Sequence, residues 1–475
     1  MKGMSIVRVV FAACLFAAVA PYEARAQGND GPQLPAGSPF RGGVPQGQAT
    51  AGPIALSAAD VIKRALDRNL GVLVSNDEVD RARADRMRAL ADLLPNINGS
   101  VLESRQTRNL EAFGFPLAPG FPSLVGPFNN FDARLFVSQT VFDASALRDA
   151  KAEAHGVAAA RHSYQSARDL VVLVAANLYL QTTAADARAQ SARAQRDTAQ
   201  ALFEQAQNLR QAGIVAGIDV IRAEVRLATE RQGVTRAENQ FQKSKLQLAR
   251  VIGLPIGQEF TLSDQIPLVP APDLTLQQVM ERAYRERPDY LAALDRVHAA
   301  EARRSAASAD ALPAVRVNAD YGAIGLTPGS ARSTFTVAGS VVVPIFDGGR
   351  RQGRVIETDA DLRSRRAEAD NLRSEIDYDV RAAFLDLQAT SEELQVATRA
   401  RELAGQQLTQ SRDRFAAGVA SNIEVVQAQE AVALASEQYI GAFYAFNVAK
   451  AVLARSMGTA EQTVLQFLSG QGSGR

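Results

Sequence analysis

The sequence predicts an α+β fold, mostly α: a tandem-duplicated unit of long antiparallel coiled-coil helices, each copy carrying two short strands. Three observations lead there. The stretches "QAGIVAGIDVIRAEV" (211–225) and "AAGVASNIEVVQAQE" (416–430) align at an offset of 205. Residues 144–212 hold no proline, one glycine and 21 alanines in 69 positions. A pair of stretches with period-two apolar spacing precedes each long helix.

The repeat extends well beyond these two stretches. "LSAADVIKRALDRN" (56–69) lies over "LTLQQVMERAYRER" (274–287) at offset 218, and "ADLLPNI" (91–97) over "ADALPAV" (309–315) at the same offset. "VFD" (141–143) matches "IFD" (345–347) at 204, and "LARVIGL" (248–254) matches "LARSMGT" (453–459) at 205. The fall from 218 to 204 places 14 extra residues of the first copy between Ile97 and Val141. The first repeat is 55–254 and the second 274–459, with a Pro-containing linker at 255–273 and a tail at 460–475. This period is far longer than the roughly 20–50 residues of solenoids.

The flanks and composition narrow the class. Lys2 and Arg8, the apolar run Val9 to Ala20 and Ala24-Arg25-Ala26 read as a signal peptide over 1–26. The single cysteine, Cys14, lies inside it, so no disulfide is expected in the mature chain. Residues 27–54 are rich in Gly and Pro, and a disordered arm is expected there. With 52 basic and 51 acidic side chains there is no basic footprint for nucleic acid. No run after the leader reaches the roughly 18 apolar residues of a membrane helix. The longest, "LVVLVAANLYL" (170–180), has 11 residues and includes Asn177.

Each repeat has the same internal order. Helical stretches at 57–94 and 275–312 are ended by Pro95 and Pro313. Strands follow near 96–105 and 131–142, and near 314–322 and 334–345. In "AVRVNADY", Val315, Val317, Ala319 and Tyr321 share one face, and Arg316, Asn318 and Asp320 the other. Asp347 caps the helix that follows, and Gly348-Gly349 let the chain swing into it. At ~1.5 Å per residue the helices over 144–212 and 349–417 each span roughly 100 Å, which no single compact core can bury. They must pack along the returning helices 218–252 and 423–457. The hairpin tips fall near 213–217 and 418–422, where Gly213 and Gly418 act as C-cap glycines. Asp219 and Glu424 sit in the first turns that follow, where a carboxylate suits the helix dipole.

Four strands cannot close a membrane barrel, since the smallest have about eight, and unpaired edges in lipid are prohibitively costly. Three chains would supply 3 × 4 = 12 strands around an aqueous lumen. The residues suggest little chemistry. His155 and His162 stand about 10 Å apart along one helix, too far to share a metal, and His298 is alone in sequence. "DGGRRQGR" (347–354) lacks the phosphate-loop pattern, and no nucleophile–base constellation is visible. No catalytic residue, metal or cofactor is expected. The charge run 361–379 reads as a solvated helix face with i, i+4 pairs. Phe113, Phe115, Phe121 and Phe128, in the insertion region 106–130, are expected to pack that loop on itself.

With these features assembled, the sequence resembles the outer membrane efflux proteins of the TolC family over roughly 55–460. The resemblance rests on the duplicated "LSAADVIKRALDRN" entry, the joints "VSQTVFDA" and "VPIFDGGRR", and the tips "AGIVAGIDVIRAE" and "AGVASNIEVVQAQ". It implies a homotrimer in the outer membrane of a Gram-negative bacterium, with a twelve-stranded β-barrel continued by a periplasmic α-helical barrel. It also implies a passive conduit joined to a periplasmic adaptor and an inner-membrane transporter of RND, MFS or ABC type, exporting small molecules. Type I protein secretion fits the same architecture. A periplasmic coiled-coil scaffold without a pore is a third reading, but such a rod has no use for alternating strands. Six tips per trimer would dock the adaptor, through Gly213, Ile214, Val215 and Gly217 in one and Gly418, Val419 and Ser421 in the other. In relatives, acidic rings narrow the periplasmic entrance: Glu424 falls on the first ring position, and Gln427, neutral, on the second. Asp219 matches an acid that latches onto a Tyr and an Arg, but Phe415 and Ala420 stand at those positions here.

Overall fold

The computed structural model describes residues 38–114, 122–264, 266–271, 273–417, 419 and 421–469. The leader, Phe115, Phe121, Gly418 and Ala420 lie outside the described residues. The first repeat contains β1 (Ile54–Leu56), α1 (Ala58–Arg68), α2 (Leu70–Ala91), β2 (Asn96–Asn109), β3 (Leu124–Phe142), α3 (Ala144–Gln211) and α4 (Gly217–Val251). The second runs β4 (Phe260–Leu262), α5 (Leu276–Glu286), α6 (Pro288–Ala309), β5 (Ala314–Gly325), β6 (Arg332–Val342), α7 (Arg350–Ala416) and α8 (Asn422–Ser456), followed by α9 (Ala460–Ser469). The order β-α-α-β-β-α-α thus occurs twice, and the chain is mostly helical, as the duplication predicts.

Matched local signals start matched elements. Ser57 and Thr275 open α1 and α5 with capping boxes, closed by Asp60 and Gln278. The single helices expected over 57–94 and 275–312 are each broken once. Asn69 (φ −66°, ψ 129°) ends α1 and caps α2, its side chain accepting from the Gly71 amide at 2.9 Å. In the second repeat extended Arg287 (φ −68°, ψ 115°) precedes Pro288, the first residue of α6. A residue that bonds its own following backbone, or a proline ring, interrupts a helix even where the apolar period continues.

The four long strands form one antiparallel sheet in the order β2-β3-β5-β6. Its register aligns Ile97, Val137, Ala319 and Val337 in one row, and Gly99, Leu135, Tyr321 and Phe335 in the next on the same face. This apolar face is open: Val101 and Phe335 are each 76% exposed. The other face carries rows such as Asn98, Phe136, Asp320 and Thr336. The hairpin β2–β3 is longer than expected, because pairing resumes beyond an irregularity at Gln106/Arg108 and continues to Asn109 opposite Leu124. Part of the insertion therefore builds strand rather than loop, and Phe128 pairs with Gln106 inside it. β6 ends at Val342 rather than 345, just before Pro344, which has no amide to donate.

Three segments expected to be loose are built into the fold. The arm expected to be disordered through 54 is docked from residue 38. The Phe40 ring lies against Gly71, where a Cβ would come within 2.2 Å of it. Asn69 Nδ2 donates to the Phe40 carbonyl at 2.9 Å, and the Val44 amide to the Arg68 carbonyl at 2.8 Å. The segment expected to be a linker contains β4, the opening strand of the second repeat, which pairs in parallel with β1. Within the expected tail, α9 buries Ala460, Val464 and Leu468. Composition averages miss all three, because one aromatic anchor or a few apolar contacts suffice to offset the ordering of a short segment.

Two apolar cores sit at mid-length along the long helices. One gathers Val171 to Leu180 of α3 with α1, β1, β4 and α9, and the other packs α5 on Ile376 and Val380 of α7 and on α8. The most apolar stretch of α3 is long enough to cross a membrane, but 61% of it is buried within the protein, so it is core. α3 packs against α2 and α6, and also against α4 and α8; α7 packs against α6 and α8.

Candidate functional site

The hairpin tips are built from the same turn, held differently in each copy. At the first tip the Gly213 amide donates to the Arg210 carbonyl and the Ile214 amide to the Leu209 carbonyl, both at 2.9 Å. This closure needs a left-handed residue, and Gly213 has φ +76°. α4 begins after Ala216, which offers no side-chain cap. Asp219, in its first turn, pairs with Arg222 of the same helix at 3.3 Å. Val220 and Ala223 are buried beneath the turn with Ala206, while Ile214 and Ile218 point outward. Val215 and Gly217 are half-buried.

At the second tip the Val419 amide donates to the Arg414 carbonyl at 3.0 Å, the counterpart of the Ile214 bond. Gly418 lies outside the described residues. Ser421 precedes α8 and makes no side-chain cap bond. Glu424 occupies the first turn and pairs with Arg414 on the opposite helix at 3.4 Å. Gln427 is exposed one turn further on, while Val425 and Ala428 are buried. Among the described residues the ion-pair partner of Asp219 is Arg222 of its own helix.

Higher on the hairpins the structure joins residues that sequence reasoning missed. Arg226 of α4 reaches Glu230 at 2.8 Å and Glu430 of α8 at 3.2 Å, tying one repeat to the other. Arg226 and Glu230 border a cavity of about 170 Å³ between the hairpins, which buried Gln429 also lines. The repeat itself held the signal, since Val225 and Ala431 stand where a copied ion pair would need charge. On the polar face of the sheet, Arg134 bridges Asp132 at 2.5 Å and Asp320 at 3.2 Å. Below the sheet, Asp347 accepts from the Gly349 and Arg351 amides, and these bonds hold its carboxyl below the usual carboxylate range.

The reading of His298 as alone does not hold. His155 and His162 of α3 and His298 of α6 all surround Asp295, because α6 of the second repeat lies along α3 of the first.

The profile of the outer membrane efflux protein family matches residues 61–254 and 279–459, the two repeats in turn. The chain belongs to the outer membrane efflux protein family. It is therefore a component of the Gram-negative outer membrane and an export channel. Members are passive conduits that work with a periplasmic adaptor and an inner-membrane pump. The chain is 26% identical over 377 residues to the pyoverdine export outer membrane protein OpmQ of Pseudomonas putida, covering 76% of this efflux protein and 77% of that one. Its fold is shared with the CmeC outer membrane channel of Campylobacter jejuni (TM-score 0.72, 16% identity, 91% of this chain and 95% of that one). It is shared as well with the MtrE outer membrane channel of Neisseria gonorrhoeae in its open state (TM-score 0.70, 17% identity, 90% and 98%).

Proposed function

We propose that three copies of this efflux protein close one barrel and pass small molecules from a periplasmic adaptor and an inner-membrane pump to the exterior. The observation that carries this is the sheet: an apolar face open to the surroundings, with β2 and β6 unpaired on their outer edges among the described residues. From Val315 to Ala323 the apolar face runs eight residue steps. That is about 26 Å along the strand, or about 20 Å after a ~40° tilt, close to the apolar band of an outer-membrane barrel. Three sheets joined edge to edge leave no open edge in lipid. Mass measurement in detergent tests this: a trimer is expected, and a monodisperse monomer stable without detergent overturns it.

In the trimer the six tips form the adaptor's docking ring, through Gly213, Ile214, Val215 and Gly217, and through Gly418, Val419 and Ser421. Exposed Ile214 and Val419 give each tip an apolar contact at the same point of the turn. The inner-membrane partner is a transporter of RND, MFS or ABC type. Export of a small molecule by OpmQ supports a cargo of that class. Glu424 forms the charged ring of the entrance, with Gln427 a neutral second ring and Asp219 a gate residue at the first tip. Arg414 offsets part of each Glu424 charge, so the ring favours cations modestly. Glu424→Gln should reduce cation preference in planar-bilayer recordings; unchanged selectivity would remove Glu424 from the gate.

A further inference from the structure

All three histidines of the chain converge on one carboxylate. Asp295 Oδ1 stands 3.6 Å from His155 Nδ1 and 3.9 Å from His298 Nδ1, and Oδ2 stands 3.6 Å from His162 Nε2. One ligand atom from each of His155, Asp295 and His298 lies within 4.8 Å of the other two. The separations are informative. A direct N–H···O bond would bring the atoms to about 2.9 Å. Two ligands each about 2.1 Å from a shared tetrahedral cation stand about 3.4 Å apart. His155 and His298 sit nearer the second spacing.

His162 is turned towards the same carboxylate. Its Nδ1 lies 3.2 Å from Gln165 Oε1, which fixes the ring with Nε2 facing Asp295 Oδ2 at 3.6 Å. Asp295 is the most enclosed member, with 19% of its side chain exposed.

We propose that His155, Asp295 and His298 bind one borderline divalent cation of the Zn²⁺, Co²⁺, Ni²⁺ class, with His162 orienting the carboxylate through its second oxygen. Two imidazoles and one carboxylate suit that class and leave positions open for water. Nitrogen donors disfavour Mg²⁺ and Ca²⁺. No thiolate joins the set to favour Cu(I), since the only cysteine is Cys14. Because His155 belongs to the first repeat and the other two ligands to the second, the ion would fasten the two halves of one chain. The site is not a copied feature: at offset 218 Asp77 keeps the carboxylate of Asp295, but Asp80 replaces His298. This inference is independent of the conduit reading, as every ligand comes from a single chain.

The test uses the full chain purified in detergent without a polyhistidine tag and stripped with chelator. Co²⁺ and then Zn²⁺ are titrated, with uptake followed by equilibrium dialysis and the Co²⁺ visible spectrum. One ion per chain is expected, unaffected by a large excess of Mg²⁺, with Zn²⁺ displacing Co²⁺ and raising the unfolding midpoint. His155→Ala, His298→Ala and Asp295→Asn should each abolish stoichiometric uptake. His162→Gln should retain one ion per chain at roughly 10–100-fold weaker affinity, as removal of an orienting partner does. The wild-type titration decides even if a ligand variant fails to fold. Uptake below one ion per chain, or folded ligand variants that bind like wild type, overturns the proposal.

Discussion

Lys450 is the clearest case of a buried charge working against this fold. It lies on α8 between the two cores, fully buried, with its Nζ donating to the Val269 carbonyl at 3.1 Å. The Phe446 and Phe467 rings stand 4.7 and 5.9 Å away. Burial pushes its pKa down from the ordinary 10.5 to about 8. At ~1.36 kcal/mol per pH unit, this makes the protonated side chain a cost of about 3 kcal/mol below pH 8. Between pH 8 and 10.5 the unfolded chain holds a proton that the folded chain has shed. Stability therefore rises with pH across that window, and the penalty is relieved at its upper end. Lys450→Met removes the titration. It also loses a hydrogen bond worth about 1 kcal/mol and cation–π contacts worth roughly 0.5–2. The variant should thus be no less stable than wild type at pH 7 and lose its advantage towards pH 10. Urea unfolding in detergent, followed by helical circular dichroism because the chain has no tryptophan, measures both. Burial also pushes the Tyr179 phenol up, but equally in both proteins, so the difference curve isolates Lys450. Parallel curves for the two proteins would refute the reasoning.

Two further substitutions probe the sheet and the waist. Val337→Arg places a charge on the open apolar face opposite Ala319, the middle of its apolar run; at mid-membrane this costs about 2–4 kcal/mol per chain, so the fraction recovered as assembled outer-membrane trimer should fall. Undiminished assembly would argue that this face does not meet lipid. Asn69→Ala removes both the cap on α2 and the bond that holds Phe40. It should cost about 2–3 kcal/mol and expose residues 38–53 to limited proteolysis, while protection unchanged from wild type would mean that the arm is held elsewhere.

What could be read from the sequence was local or repeated. The alternation of Val315 to Tyr321 identified a strand because side-chain direction has period two whatever lies across the sheet. The ends of β2 and β3 could not be read that way, since Asn109 is a strand residue only because Leu124 faces it. The break at Asn69 was accessible in principle: Pro288 occupies the position that Leu70 holds in the first copy, and proline starts helices more readily than it continues them. The histidine cluster was not accessible. Spacing along α3 separates His155 from His162, and only the packing of α6 against α3 brings Asp295 between them. At the tips, the first-turn placement of Asp219 and Glu424 followed from the turn, but Arg414 as the partner of Glu424 required the opposite helix.

The two tips show how a duplicated turn can acquire different mechanics through two exchanges. At offset 205, Arg222 of the first copy becomes Gln427 in the second, and Leu209 becomes Arg414. The first exchange removes the cation one turn along from the carboxylate, and the second supplies one on the facing helix. Asp219 is therefore neutralised within α4, and its ion pair says nothing about the spacing of α3 and α4. Glu424 is paired across its hairpin, so separating α7 from α8 at the second tip breaks an ion pair, whereas among the described residues separating α3 from α4 at the first tip does not. An exposed pair of this kind contributes about 0–1 kcal/mol. A tie that weak holds neither hairpin firmly, and it only makes parting α7 from α8 slightly more costly than parting α3 from α4.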